Sequence, residues 1–139
     1  PNGVVWGNTY QGGGYDLVLL GQVEPTVINL DEVESRLHRP EFATLAQSLR
    51  EIGVQSTVDL FATYAGQARD LGPWLKDAAI THDSNLRLQY LAGMGVNLNI
   101  GPSIYNGLLA FRRQPDALFT GSDQMKSALW AAMENVGRQ

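Results

Sequence analysis

The sequence predicts an α+β fold, predominantly helical, in which an N-terminal β-hairpin leads into a helical C-terminal extension. Three observations predict it. Val4-Val5-Trp6 and Tyr15 to Leu20 are runs of strand formers on either side of Gly12-Gly13-Gly14, and glycines there supply the positive-φ positions of a hairpin loop. Beyond Asp31, apolar residues recur at three- and four-residue spacing between capping residues and prolines, the pattern of amphipathic helices. A chain of 139 residues that is 44% hydrophobic has enough apolar surface for one core and is short for two ordinary domains. The chain divides into a hairpin unit over 1–30 and a helical unit over 31–139.

Each element has a local reason. The hairpin comes first, and Glu24-Pro25-Thr26 turns the chain away from it. Asp31 is placed to cap a short helix over Glu32 to Leu37, because a carboxylate accepts the orphan amide protons of a first turn. Pro40 ends that helix and suits the first turn of the next, in which Phe42, Leu45, Ala46, Leu49 and Ile52 share a face and Gly53 stands at the stop. Ser56 and Asp59 form a capping box with Asp in place of Glu, opening a helix whose Val58, Phe61 and Ala62 or Ala65 face inward and which Gly66 closes. From Ala79 to Gly95 the alternation of Leu86, Leu88 and Tyr90 predicts a loop and a short strand. Gly101-Pro102 opens a helix through Tyr105, Leu108 and Phe111, with Arg112-Arg113 complementing its C-terminal pole and Pro115 breaking it. The last helix runs from a Ser122 cap through Met125, Leu129, Ala132, Met133 and Val136 to Gly137.

Composition excludes several classes of function. The net charge is −4 and the basic residues are scattered apart from Arg36/Arg39 and Arg112-Arg113, so nucleic acid is not the expected partner. There is no cysteine, which removes disulfides, thiolate zinc sites and thiol nucleophiles together and fits an intracellular, cytoplasmic setting. No apolar run approaches the roughly 20 residues of a membrane-spanning helix.

The candidate chemistry is sparse. Gly12-Gly13-Gly14 runs into a strand, whereas a phosphate loop opens a helix, so the glycines read as a turn. Thr81-His82-Asp83-Ser84 holds a nucleophile, a base and an acid, but triad members come from separate elements, and an exposed loop is the simpler reading. His82 and Asp83 could ligate a metal, yet the other histidine, His38, has no paired spacing with them. Trp6, Trp74 and Trp130 could be stacking platforms and are more simply packing residues. Asp16 and Glu24 bracket the second strand and could hold a ligand, and the Arg36/His38/Arg39 cluster could meet an acidic surface or be a solvated helix end.

The order of residues carries one resemblance. Trp6, then Tyr15-Asp16-Leu17-Val18-Leu19-Leu20-Gly21, the Pro25 turn, Leu49-Arg50-Glu51-Ile52-Gly53-Val54 and Asp59-Leu60-Phe61-Ala62 resemble the C-terminal section of spermidine synthase-like, that is aminopropyltransferase-like, bacterial proteins. The likeness extends to about Gly95 and, more faintly, to Leu118-Phe119-Thr120-Gly121. It is similar in particular to the branch accompanied by a transporter-like membrane region. Where that branch resembles Asn-Thr-Asp-Asp-x-Pro-x-Leu-Glu-Tyr, this chain has His82 for the first Asp, Asn85 or Leu86 near the usual Pro and Gln89 for Glu. The resemblance implies that the hairpin ends a Rossmann, methyltransferase-like sheet whose catalytic half lies upstream; the proline start fits methionine removal or a cut chain as well, and a fragment is the expectation. It assigns this chain no catalytic, cofactor-binding or metal-binding residue, no cofactor, and no defined substrate contact.

Two functions are therefore expected of the chain. The first is a noncatalytic C-terminal portion of an aminopropyltransferase-like protein, packing against a missing N-terminal Rossmann domain or shaping an oligomer, either in the cytoplasm or as the soluble part of a membrane-associated parent. The alternative is a free-standing interaction module that forms a homodimer through its hairpin edge, burying Val4, Trp6, Val18 and Leu20. A small enzyme centred on His82 and Asp83 ranks third, and unchanged activity after His82→Ala would remove it.

Overall fold

Alternating apolar residues and a glycine-rich connection fold the first segment back on itself. In the computed structural model, which describes residues 2–10 and 13–136, β1 (Asn2–Tyr10) pairs antiparallel with β2 (Gly13–Gln22). Val4 lies opposite Leu20 and Trp6 opposite Val18. Gly12 lies outside the described residues, as do Pro1 and the predicted helix stop Gly137. After the Pro25 turn come β3 (Ile28–Asn29), α1 (Leu30–Leu37), a single 3₁₀ turn at Pro40–Phe42, α2 (Ala43–Glu51) and α3 (Thr57–Phe61). They are followed by β4 (Tyr64–Gln67), α4 (Ala68–Leu71), α5 (Arg87–Asn97), α6 (Gly101–Leu109), β5 (Phe119–Thr120) and α7 (Asp123–Val136). The fold is mixed α+β, about 49% helical, with a small antiparallel sheet of three strands.

The sheet order is β2-β1-β4, so β1 is central. Successive side chains on a strand point to opposite faces, and Val4 and Val5 accordingly enter two different cores. On one face Val4 joins Leu30, Ala62, Tyr64, Leu118, Phe119, Leu129 and Met133, with Trp6 packed alongside. On the other, Val5 joins Ala65, Leu71, Tyr105 and Leu108. The strand pair is thereby bound into the helical region by β4 and by the parallel pair β3–β5, where the Ile28 amide donates to the Leu118 carbonyl at 2.7 Å.

Several expectations are corrected here. Asn29, not Asp31, caps α1, its side-chain oxygen accepting from the Glu32 amide at 3.2 Å. Asp31 instead crosses to α7 and accepts from the backbone amide of Ser122 at 2.5 Å and from its hydroxyl at 2.9 Å. The Ser56 helix stops at Phe61, and Gly66 lies within β4, because Tyr64 to Gln67 exchange helical bonds for pairing with β1. Over Ala79 to Gly95 the expected loop extends to Leu86, but in place of the expected short strand the chain forms helix α5 from Arg87. Arg112 does not serve its own helix end; it donates to the Met133 carbonyl at 2.9 Å and to the Tyr64 carbonyl at 3.5 Å, tying α6 to α7 and β4. The Ser56–Asp59 box and the Gly53 stop form as expected, Ser56 Oγ accepting from the Asp59 amide at 3.1 Å and Gly53 taking φ +89°.

Candidate interaction surface

The residues with chemical potential are not brought together. Thr81, His82, Asp83 and Ser84 sit in an exposed turn held by Asn85, whose side-chain oxygen accepts from the His82 amide at 3.3 Å. His38 lies at the end of α1, its Nδ1 2.8 Å from the Glu34 carbonyl. Among the described residues no group of three or more His, Cys, Asp or Glu is placed to hold a metal. Asp16 accepts from the Leu17 amide beside it, Glu24 is exposed, and Arg36 pairs with Glu32 one helical turn away.

The aromatic residues pack. Trp6 stands 5.5 Å from Phe61 and 5.9 Å from Tyr64, and Phe119 links this cluster to Trp130 at 6.1 Å, in tilted and edge-on pairs favoured by ring quadrupoles. Trp74 lies against the second core. Trp130 also borders a surface recess of about 450 Å³ with Asp116, Asp123 and Lys126. In that recess Lys126 already answers Asp123 at 2.9 Å and holds its carboxyl below the usual carboxylate range. A second recess, between Asn2, Pro25, Gln67 and Arg69, has about 90 Å³, room for a few waters and not for a typical ligand.

Among the described residues, buried oxygens without a hydrogen-bond partner include Thr57 Oγ1, the Tyr64 hydroxyl and Asp70 Oδ2. Burial first, and the negative charge of Asp70 second, push the Tyr64 phenol well above its ordinary value. It therefore keeps its proton at neutral pH. Tyr105 is raised for the same leading reason.

What the geometry offers instead is uncovered apolar surface. The outer edge of β2 pairs with no strand among the described residues. Leu19 is 73% exposed on one face of that strand, and Val18 and Leu20 are each 52% exposed on the other. The dimer face expected from Val4, Trp6, Val18 and Leu20 is thus split: Val4 and Trp6 are already taken by the first core. A second uncovered area is α5, where Leu88, Tyr90, Leu91, Met94 and Val96 are all exposed. Periodicity did not single out α5, but the absence of Asp, Glu, Lys, Arg and His from Leu88 to Phe111 is a sequence signal that marks it.

The chain exposes 9646 Å², whereas a compact monomer of 15.2 kDa exposes about 7,100 Å². No family model, curated protein or solved structure matches the chain. Among the described residues no helix is long and apolar enough to cross a membrane.

Proposed function

We propose that this chain is the noncatalytic C-terminal part of a spermidine synthase-like protein and that its task is packing, with β2 as the strand on which a Rossmann-like sheet continues. The observation that carries this reading is β2 itself, ten residues long, with an outer edge that pairs with no strand among the described residues and with leucines and valine exposed on both faces. Unpaired edges are templates for further strands, and a strand covered on both faces reads as a continuous apolar run such as Leu17-Val18-Leu19-Leu20. The order of motifs shared with the aminopropyltransferase-like proteins supports the same placement. The setting is the cytoplasm, or the soluble portion of a membrane-associated parent.

Two measurements on the chain test this. Calorimetric titration with S-adenosylmethionine analogues and with polyamines is expected to give no heat of binding, and a saturable heat would overturn the noncatalytic reading. In hydrogen exchange, the β2 amides not bonded to β1 are expected to exchange freely while β1 amides are protected. Equal protection of both, together with a dimer mass, would replace this reading with the free-standing module that pairs hairpin edge to hairpin edge.

A further inference from the structure

Every residue from Leu75 to Met94 is exposed, the longest such run among the described residues. The segment is also tied down only locally. Among the described residues, the hydrogen bonds of residues 76–98 reach no farther than Leu75 and Ile100, and no other element packs closely on α5. The entry to that helix is weak as well. Leu86 stands at its N-cap with φ +44°, a left-handed conformation that strains a bulky residue, and has no side-chain acceptor for the first-turn amides.

The rest of the fold is built across this segment. Tyr64 shares the first core with Phe119 and Leu129, and Val5 shares the second with Tyr105 and Leu108. Ile28 pairs with Phe119, Asp31 accepts from Ser122, and Arg112 donates to the Tyr64 carbonyl. Each of these contacts joins a residue before 76 to one after 100, so none of them needs the chain between to be continuous.

We infer that residues 76–87 are a cleavage site for proteases that cut after basic residues, and that the cleaved chain persists as two noncovalently joined pieces. Water adds across the Lys76–Asp77 or Arg87–Leu88 amide, leaving a carboxylate on the basic residue and a free amine on its successor. Both basic residues are exposed, and the stretch between them carries small and polar residues such as Ala78, Ala79, Thr81 and Ser84, the kind of loop in which nicking concentrates. Competing sites are less open. Arg36, Arg50, Arg69 and Lys126 lie in helices, Arg39 precedes Pro40, and Arg113 stands between the anchored Arg112 and the buried Pro115. Cleavage at Arg87 leaves α5 joined to the body only through its C-terminal end. This inference is independent of the reading of β2.

Brief digestion of the full chain with trypsin, mapped by mass spectrometry, is expected to cut first at Lys76 or Arg87. The pieces should co-elute in size-exclusion chromatography and keep most of the far-UV circular dichroism. Below the unfolding transition, urea should change the rate of this first cut by less than about twofold once normalised to a peptide substrate, because local opening suffices. Lys76→Gln combined with Arg87→Gln is expected to slow it about tenfold or more with thermal unfolding unchanged, while proteinase K, indifferent to basic residues, still cuts the double variant within 76–87. A first cut at Arg113 or in the helices of the body, pieces that separate or unfold, a rate that climbs with the unfolded population, or a double variant cut as fast as the wild type would each overturn the inference.

Discussion

Replacing Gly7 by alanine tests how tightly α6 is held on the sheet. Gly7 lies in the central strand, its amide donating to the Thr63 carbonyl at 2.7 Å, and the ring of Tyr105 rests directly on its Cα. A Cβ built there would meet Tyr105 Cε2 at 2.7 Å and Cζ at 2.8 Å, and would also strike the hydroxyl. β1 is bonded on both sides and cannot retreat, and Tyr105 is 4% exposed, walled in by the second core. Either α6 lifts from the sheet or the ring leaves its place. Overpacking of this kind costs about 1–3 kcal/mol, offset by somewhat under 1 kcal/mol from the stiffer unfolded chain. The expected net loss is about 1 kcal/mol, a fall in Tm of roughly 3 to 5 °C, read by urea and thermal unfolding. Tyr105→Leu removes the offending ring, so the double variant is expected to be more stable than the two single losses added together, by at least about 1 kcal/mol. Wild-type stability for Gly7→Ala, or strict additivity in the double variant, would refute the close approach.

Two further perturbations probe the contacts between distant segments. Asp31→Ala removes the acceptor for the Ser122 amide and hydroxyl at the start of α7, and urea unfolding should show a loss of about 1–2 kcal/mol. Gly121→Ala should lose at least as much, since its φ is +126° and its Cβ would lie 2.6 Å from Asp31 Oδ2. The phenols of Tyr64 and Tyr105 give a pH dependence whose sign is fixed by burial. Both folded values lie above the ordinary phenol value of 10.0, so both states hold the proton below that pH and no stability is lost there. Above it the unfolded chain ionises first, and stability is expected to fall as pH rises toward the folded values. Alkaline unfolding followed by circular dichroism, with tyrosinate absorbance in parallel, should show these two phenols ionising only as the fold opens; early ionisation of all tyrosines in an intact fold would contradict it.

The elements that could be read correctly from the chain are those whose signal is local. Ser56 and Asp59 are three residues apart and satisfy one another within a single turn. The strand formers around the glycines meet through a short connection, so their own sequence specifies the pairing. Tyr64 to Gln67 has no such signal: alanine and glycine are weak strand formers, and Tyr64 becomes extended only because Trp6, far away in sequence, pairs with it. In α5 the two-residue alternation of Leu86, Leu88 and Tyr90 overlaps the helical series of Leu88, Leu91, Met94 and Leu98, and the first pattern masks the second. Leu86 itself takes φ +44° at the helix entrance. For the candidate surface, the open hairpin edge was legible, but which side chains stay exposed along it was not.

The sequence by itself determined the hairpin, the Ser56 and Ser122 caps and the order of most helices, together with a composition that excludes thiol chemistry. These follow from hydrogen bonds and φ preferences that span a few residues. Only the tertiary structure decided that β1 is covered on its second side by β4, that Val4 and Val5 serve different cores, and that Asp31 works on α7 rather than on its own helix. It also decided that Val18, Leu19, Leu20 and α5 remain uncovered. Burial depends on which distant segments arrive at a surface, and no local pattern of residues records that.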